Sequence, residues 1–98
     1  MTERAAKESG TKFKVGRFAM RVNSKARELS ETDGLVKVIV DGKTDQILGA
    51  AVLSADGSEL VHMYVDLMNA KAPYTVLRDA VHIHPTLAEA VQSAVAKI

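Results

Sequence analysis

Residues Leu35–Leu53 read LVKVIVDGKTDQILGAAVL, two aliphatic runs on either side of a short polar stretch. LVKVIV and QILGAAVL carry the β-branched and aliphatic side chains that suit a half-buried, pleated surface. Between them, Asp41, Gly42 and Asp45 are turn formers, so the two runs are expected to fold back as an antiparallel hairpin. Such a sheet buries its side chains best when a helix covers one face.

The flanking segments supply a third strand and the helices. Upstream, KFKVGRFAMRVN alternates Phe13 and Val15 with Lys12 and Lys14, a strand pattern whose phase shifts at Gly16 as a bulge would shift it. Before it, TERAAKESG reads as a short helix with Thr2 as cap and Gly10 as terminator. SKARELSETDG is a turn of helix followed by loop. Downstream, DGSELVHMYVDLMNA predicts a helix capped by Ser58, with Leu60, Val61, Tyr64, Leu67 and Met68 at helical spacing. Met63 and Val65 widen its apolar face, which fits either a well-buried core helix or one that also meets a second partner. PYTVLRDA is a short helical turn with Pro73 at its first position. Thr86–Ile98 predicts a last helix with the stripe Leu87, Ala90, Val91, Ala94, Val95 and Ile98. The order α-β-ββ-α-α describes an α+β domain, an antiparallel β-sheet with helices packed on it.

Composition bounds the functions open to the chain. Its 98 residues make one domain, 47% hydrophobic and 26% charged, with a net charge of +1. No apolar run approaches the roughly 18 residues that a membrane helix needs, and MTERAAKESG lacks the apolar core of a secretion signal. A cytoplasmic location is the default, and no membrane partner is expected. With no cysteine there is no disulfide, thiolate metal site or redox thiol within the chain. Lys12, Lys14, Arg17, Arg21, Lys25 and Arg27, with Phe13 and Phe18 among them, invite a nucleic-acid reading. Basic side chains on the wet face of an edge strand account for them more cheaply, so no nucleic-acid partner is expected. His62, His82 and His84 lack a compact metal motif, and no metal site is expected.

The chemistry-bearing candidate is VHIHPTLAEAVQSAV, Val81–Val95. Thr86 and Glu89 have the spacing of a capping box, in which the threonine oxygen accepts from the Glu89 amide and the carboxylate from the Thr86 amide. Pro85 pushes His84 into an extended conformation, and there His82 and His84 point the same way. The His84–Pro85 bond could be cis, but X-Pro bonds in folded proteins are cis in only about 5–6% of cases, and the sequence alone does not decide the isomer. A loop histidine with a satisfied hydrogen bond is one reading of His84. The other is an acid–base group, since a free imidazole titrates near pH ~6.5 and a carboxylate beside it favours the protonated form. Glu89 is the candidate partner.

The segments KVGRFAM, DGLVKVIVDGKTDQILGA and HPTLAE stand in one order along the chain. Together, from about Phe13 to Ala94, the chain resembles the C-terminal dimerisation domain of the pyridine nucleotide-disulfide oxidoreductases, the flavoenzyme family of dihydrolipoamide dehydrogenase and glutathione reductase. The resemblance implies that residues 1–98 are the interface domain of a larger enzyme. It also implies a homodimer formed through this domain, and FAD and NAD(P) bound elsewhere in the parent, with no cofactor held by this chain. His84 would be the acid–base group that reaches across the dimer to the redox cysteines and flavin of the other subunit, with Glu89 orienting it. The dimer would bury the Ser58–Asn69 helix or the final helix.

The chain departs from the full enzymes in having neither a G-x-G-x-x-G fingerprint nor a redox cysteine pair, so it should not catalyse anything alone. It lacks the terminal paired cysteines of mercuric reductases, which usually have no histidine at this turn, so His84 leans toward dithiol/disulfide chemistry. Ala88 stands where lipoamide dehydrogenases usually have serine, and APYTVLRDAVHIHPTLAE is more similar to little-characterised bacterial members. A standalone homodimerising module without catalysis and a domain of a mercuric-reductase-like enzyme are the alternatives.

Overall fold

The computed structural model describes all 98 residues. Three strands, β1 (Phe13–Ala19), β2 (Leu35–Asp41) and β3 (Ile47–Leu53), form an antiparallel sheet in the order β1-β2-β3. The helices are α1 (Glu3–Glu8), α2 (Ser24–Glu28), α3 (Gly57–Leu60), α4 (His62–Asn69), α5 (Thr75–Asp79) and α6 (Glu89–Val95), with a 3₁₀ turn at Met20–Val22. None of them is long and apolar enough to cross a membrane. The expected α+β architecture is present, with more and shorter helices than the apolar spacing implied.

The hairpin forms where its turn residues place it. The Asp41 carboxylate accepts from the amides of Lys43 (2.7 Å) and Thr44 (2.9 Å), and Asp45 takes a left-handed conformation at φ 60°, which aspartate tolerates better than most residues. Val36, Val38 and Val40 of β2 share one face and are fully buried. Each contributes roughly 1.5–3 kcal/mol by leaving water. With Ile47, Ala50 and Val52 of β3 they floor the main core.

Gly16 is not a bulge, because β1 and β2 pair without interruption from Phe13↔Asp41 to Ala19↔Leu35. Its apolar pattern changes phase because both faces of the sheet are covered, and Phe13 and Val15 lie on the face opposite Phe18. A Cβ on Gly16 would stand 2.1 Å from the Ala94 carbonyl oxygen, so glycine lets α6 rest on the strand. The true irregularity lies across the hairpin, where Ile39 faces Gly49 and Val40 faces Ile47. Leu48 is the extra residue.

On the second face α1 begins as expected, with the Thr2 hydroxyl accepting from the Ala5 amide at 3.0 Å. Glu3 pairs with both Arg17 (3.1 Å) and Lys37, which stand directly opposite one another on β1 and β2. Like charges so placed repel, and the shared carboxylate relieves that. Lys37, its strongest partner, holds the Glu3 carboxyl below its ordinary range.

Three helix boundaries differ from expectation. The Ser58–Asn69 helix is two pieces that meet at Val61, where the Tyr64 amide bonds the Val61 carbonyl three residues back (3.0 Å). Its start is set by Asp56, left-handed at φ 56°, and not by Ser58. Spacing cannot reveal this tightening, because Leu60 and Tyr64 face the core on either side of it. Pro73 does not open α5. It forms an isolated bridge with Gln46, and Tyr74 is the N-cap. The last helix is regular only over Glu89–Val95, entered and left through i−3 bonds such as Ala90 N–H to Leu87 O (3.0 Å) and Ile98 N–H to Val95 O (3.2 Å). It buries Ala90, Val91, Ala94 and Val95 against β1, β2 and α5. The buried Tyr64 hydroxyl donates to Val91 O at 2.7 Å and ties α4 to α6. Burial pushes that hydroxyl's pKa up.

Candidate functional site

The segment from α5 to α6 carries His82 and His84 on irregular backbone, so side-chain bonds must hold it. The Gln92 carboxamide donates to the carbonyls of Arg78 (3.0 Å) and Ala80 (2.6 Å), with Leu77 O at 3.3 Å. These bonds occupy carbonyls at the end of α5 that lack helical partners. At the other end Thr86 is tied through all its polar groups. Its amide donates to Glu89 Oε1 (3.0 Å), its hydroxyl to Ile83 O (2.8 Å), and its carbonyl accepts from Asn23 Nδ2 (3.1 Å). Only half of the expected capping box therefore exists. The threonine hydroxyl turns back to Ile83, and Ala88 is the N-cap, without a side-chain bond. The His84–Pro85 peptide bond is cis, an isomer that the sequence left open.

His84 and Glu89 are brought together as anticipated. His84 Nδ1 lies 3.0 Å from Glu89 Oε1 and 3.2 Å from Oε2. Oε1 serves both the imidazole and the Thr86 amide, so capping and pairing converge on one oxygen. The Thr86 amide, and after it the His84 ring, hold the Glu89 carboxyl below its ordinary value. An ionised carboxylate only accepts, so Nδ1 carries the proton. Every hydrogen bond of the ring runs through Nδ1, which leaves Nε2 to meet whatever approaches. The His84 side chain is 67% exposed, while Glu89 retains 26%. A fixed, accessible imidazole nitrogen able to take or give a proton is what the arrangement offers chemically.

His82 sits in different surroundings. It is half-buried, with Nδ1 enclosed and unpartnered, beside an apolar cleft formed by Met63, Leu67, Val76 and Leu77. The three histidines do not converge, and no three carboxylates or imidazoles gather as a metal site would require. The basic side chains from Lys12 to Arg27 are dispersed over the approach to β1, β1 itself, the 3₁₀ turn and α2. Lys14 is paired with Asp45 (2.9 Å), Arg17 with Glu3, and Lys25 with Glu28 (3.7 Å).

Sequence reasoning missed Asn23 and Gln92. Asn23 directly before SKARE was legible as a helix cap, but its tie to Thr86 joins residues 63 apart. Gln92 lies off the apolar stripe and gave no signal.

The family model described as "Pyridine nucleotide-disulphide oxidoreductase, dimerisation domain" matches residues 1–95. The chain belongs to this family. Among its relatives, the probable pyridine nucleotide-disulfide oxidoreductase RclA of Escherichia coli K12 is 38% identical over 89 residues, covering 91% of this chain and 20% of RclA. Dihydrolipoyl dehydrogenase of Rhizobium etli is 41% identical over 95 residues, covering 97% of this chain and 20% of that protein. The solved structure of the HOCl-induced flavoprotein disulfide reductase RclA from E. coli superposes with a TM-score of 0.93 at 35% identity, over 98% of this chain and 22% of that one. LpdA from Mycobacterium tuberculosis shares the fold, with a TM-score of 0.90 at 17% identity and coverage of 98% and 21%. The chain thus spans about one fifth of the length of these relatives, which are disulfide oxidoreductases and dihydrolipoyl dehydrogenases.

The six glycines form no G-x-G-x-x-G turn, and there is no cysteine to receive electrons. The chain thus carries neither the dinucleotide fingerprint nor a redox disulfide, and what it presents at this turn is an imidazole–carboxylate pair.

Proposed function

We propose that this domain is the C-terminal interface domain of an FAD- and NAD(P)-dependent disulfide oxidoreductase. In that enzyme it joins two subunits and presents His84 to the redox cysteine pair of the other. The observation that carries the reading is the His84 ring, held through Nδ1 by an ionised Glu89 while Nε2 makes no bond within the domain and the side chain is largely exposed. At Nε2 the ring takes the proton of a thiol, leaving a thiolate, which is the attacking species in disulfide exchange. In the reverse direction it returns the proton. Glu89 holds the tautomer and orientation. FAD and NAD(P) would be bound by the remainder of the parent.

Dimerisation is proposed to use the apolar face beside the histidines. α6 is consumed by the domain's own core, with four of its seven residues buried. Val65 and Met68 of α4 (39% exposed each), Val76 of α5 (52%), and Val81 and Ile83 (100% and 80%) remain open. Of the two helices considered from sequence, α4 is therefore the one left for a partner subunit.

The test is His84→Gln in the full-length parent, with dihydrolipoamide and dithiothreitol as dithiol probes in rapid mixing. The expected result is a fall of about 10²–10⁴-fold in the thiol step, with flavin content and melting temperature unchanged. An unchanged thiol step would refute the acid–base role.

A further inference from the structure

Asn23 is the only residue with a carboxamide or charged side chain that the fold buries, at 4% exposed. An amide is placed there only if its hydrogen-bonding capacity is met. Its Oδ1 accepts from the Ala26 amide (2.9 Å) and caps α2. Serine, threonine or aspartate would do that equally well. An aspartate carboxylate has no proton to donate to Thr86 O, and a serine or threonine offers one oxygen close to its backbone where asparagine has a separate Nδ2, which reaches Thr86 O at 3.1 Å.

That second bond reaches the turn that carries the site. The amide of Thr86 donates to Glu89 Oε1, the oxygen that also faces His84 Nδ1. The Thr86 hydroxyl holds Ile83 O, the residue before His84. Those two bonds stay within the segment from Ile83 to Glu89. Asn23, at the start of α2, supplies its hydrogen bond from 63 residues away along the chain. His84 itself has no other restraint of this kind, since its ring bonds only Glu89.

We infer that Asn23 is a positioning residue for the His84–Glu89 pair, clamping the Thr86 carbonyl so that the imidazole is aimed rather than merely attached. The inference rests on the acid–base reading of His84. Displacement of a reacting group by about 1 Å can cost on the order of 10²-fold in rate, so a clamp two residues from the imidazole is where precision would be set.

The experiment is a double-variant cycle in the full-length parent enzyme, with dithiothreitol as the thiol probe and rapid-mixing measurement of its reaction. Asn23→Asp keeps the cap acceptor and sets an oxygen against the Thr86 carbonyl. Asn23→Ser keeps the cap acceptor on a shorter side chain, removes the Nδ2 that reaches Thr86 O, and carries the cycle if the aspartate variant does not fold. Each is made alone and with His84→Gln. The expected result is a thiol step slowed by about tenfold, with half-saturation by dithiol unchanged within about twofold. No further slowing is expected when the Asn23 change is added to His84→Gln, because the two act through one group. A loss that persists undiminished in the His84→Gln background would show a merely structural role and overturn the inference, as would no loss at all. If His84→Gln leaves the thiol step unchanged, the acid–base reading fails and the positioning role with it. That outcome differs from one in which His84→Gln is slow and Asn23 is indifferent.

Discussion

Gly16→Ala adds one methyl group where α6 crosses β1. The new Cβ would lie 2.1 Å from the Ala94 carbonyl oxygen and 3.1 Å from its carbon. That is about 1 Å inside the closest approach tolerated in a packed interior. The obstacle is backbone, so no rotamer change relieves it, and α6 must withdraw. Its buried residues Ala90, Val91, Ala94 and Val95 are each at most 1% exposed, and any withdrawal loosens all four. Overpacking of a tight core typically costs 1–3 kcal/mol, and a rigid backbone obstacle belongs at the upper end, about 3 kcal/mol. For a domain of this size each kcal/mol lowers Tm by about 4–8 °C, so a fall of about 12 °C or more is expected. Urea unfolding of the 98-residue chain, followed by far-ultraviolet circular dichroism, measures it. Gly10→Ala is the control, because Gly10 has φ +73° but nothing within 4 Å of a Cβ. It should cost only the left-handed strain of about 1 kcal/mol. A Gly16→Ala variant within about 0.5 kcal/mol of the parent, or rescue by Ala94→Gly, would refute the backbone contact.

Three further outcomes follow from named contacts. Tyr64→Phe removes a hydroxyl that is fully buried and bonded to Val91 O at 2.7 Å, and should destabilise by about 1 kcal/mol; an unchanged urea midpoint would mean that this bond contributes nothing. Glu89 has a carboxyl held below its ordinary 4.5, first by the Thr86 amide and then by His84. The unfolded chain therefore takes up that proton more readily, and the stability it contributes is whole above the ordinary value and lost as pH falls from there through the folded one. Glu89→Gln should flatten the acid limb of the stability profile below pH 4.5; urea midpoints measured from neutral pH downward with an unaltered slope would contradict it. Val81→Glu with Ile83→Glu changes side chains that are 100% and 80% exposed, so folding should be untouched while the full-length protein shifts from dimer to monomer in sedimentation velocity. A dimer that persists would place the interface elsewhere.

The hairpin, the strand Phe13–Ala19 and the pairing of His84 with Glu89 were all legible before any coordinates. Each rests on short-range regularities: alternation, turn residues between aliphatic runs, and a carboxylate one helical turn beyond a histidine that cannot enter the helix. The errors fall where a second element decides. Gly16 looked like a bulge because its phase shift is local, while its cause, the Ala94 carbonyl, lies on another element. Ser58 and Pro73 are good helix starters by type, yet the chain starts those helices at Asp56 and Tyr74, where neighbouring strands and turns set the backbone. The Thr86–Glu89 box was half right because Thr86 found a closer acceptor in Ile83 O.

Sequence alone determined the composition-level limits, the α+β class, the family resemblance and the pairing of His84 with Glu89, because these depend on residue type and spacing along one segment. The tertiary structure decided which oxygen of Glu89 serves His84, and which helix is consumed by the core and which remains open. It also decided that Asn23 and Gln92 hold the segment bearing the imidazole. The choice of Glu89 oxygen depends on the local geometry of the turn, and the ties made by Gln92 and Asn23 join residues 12 and 63 positions apart; no periodicity within a single element encodes them.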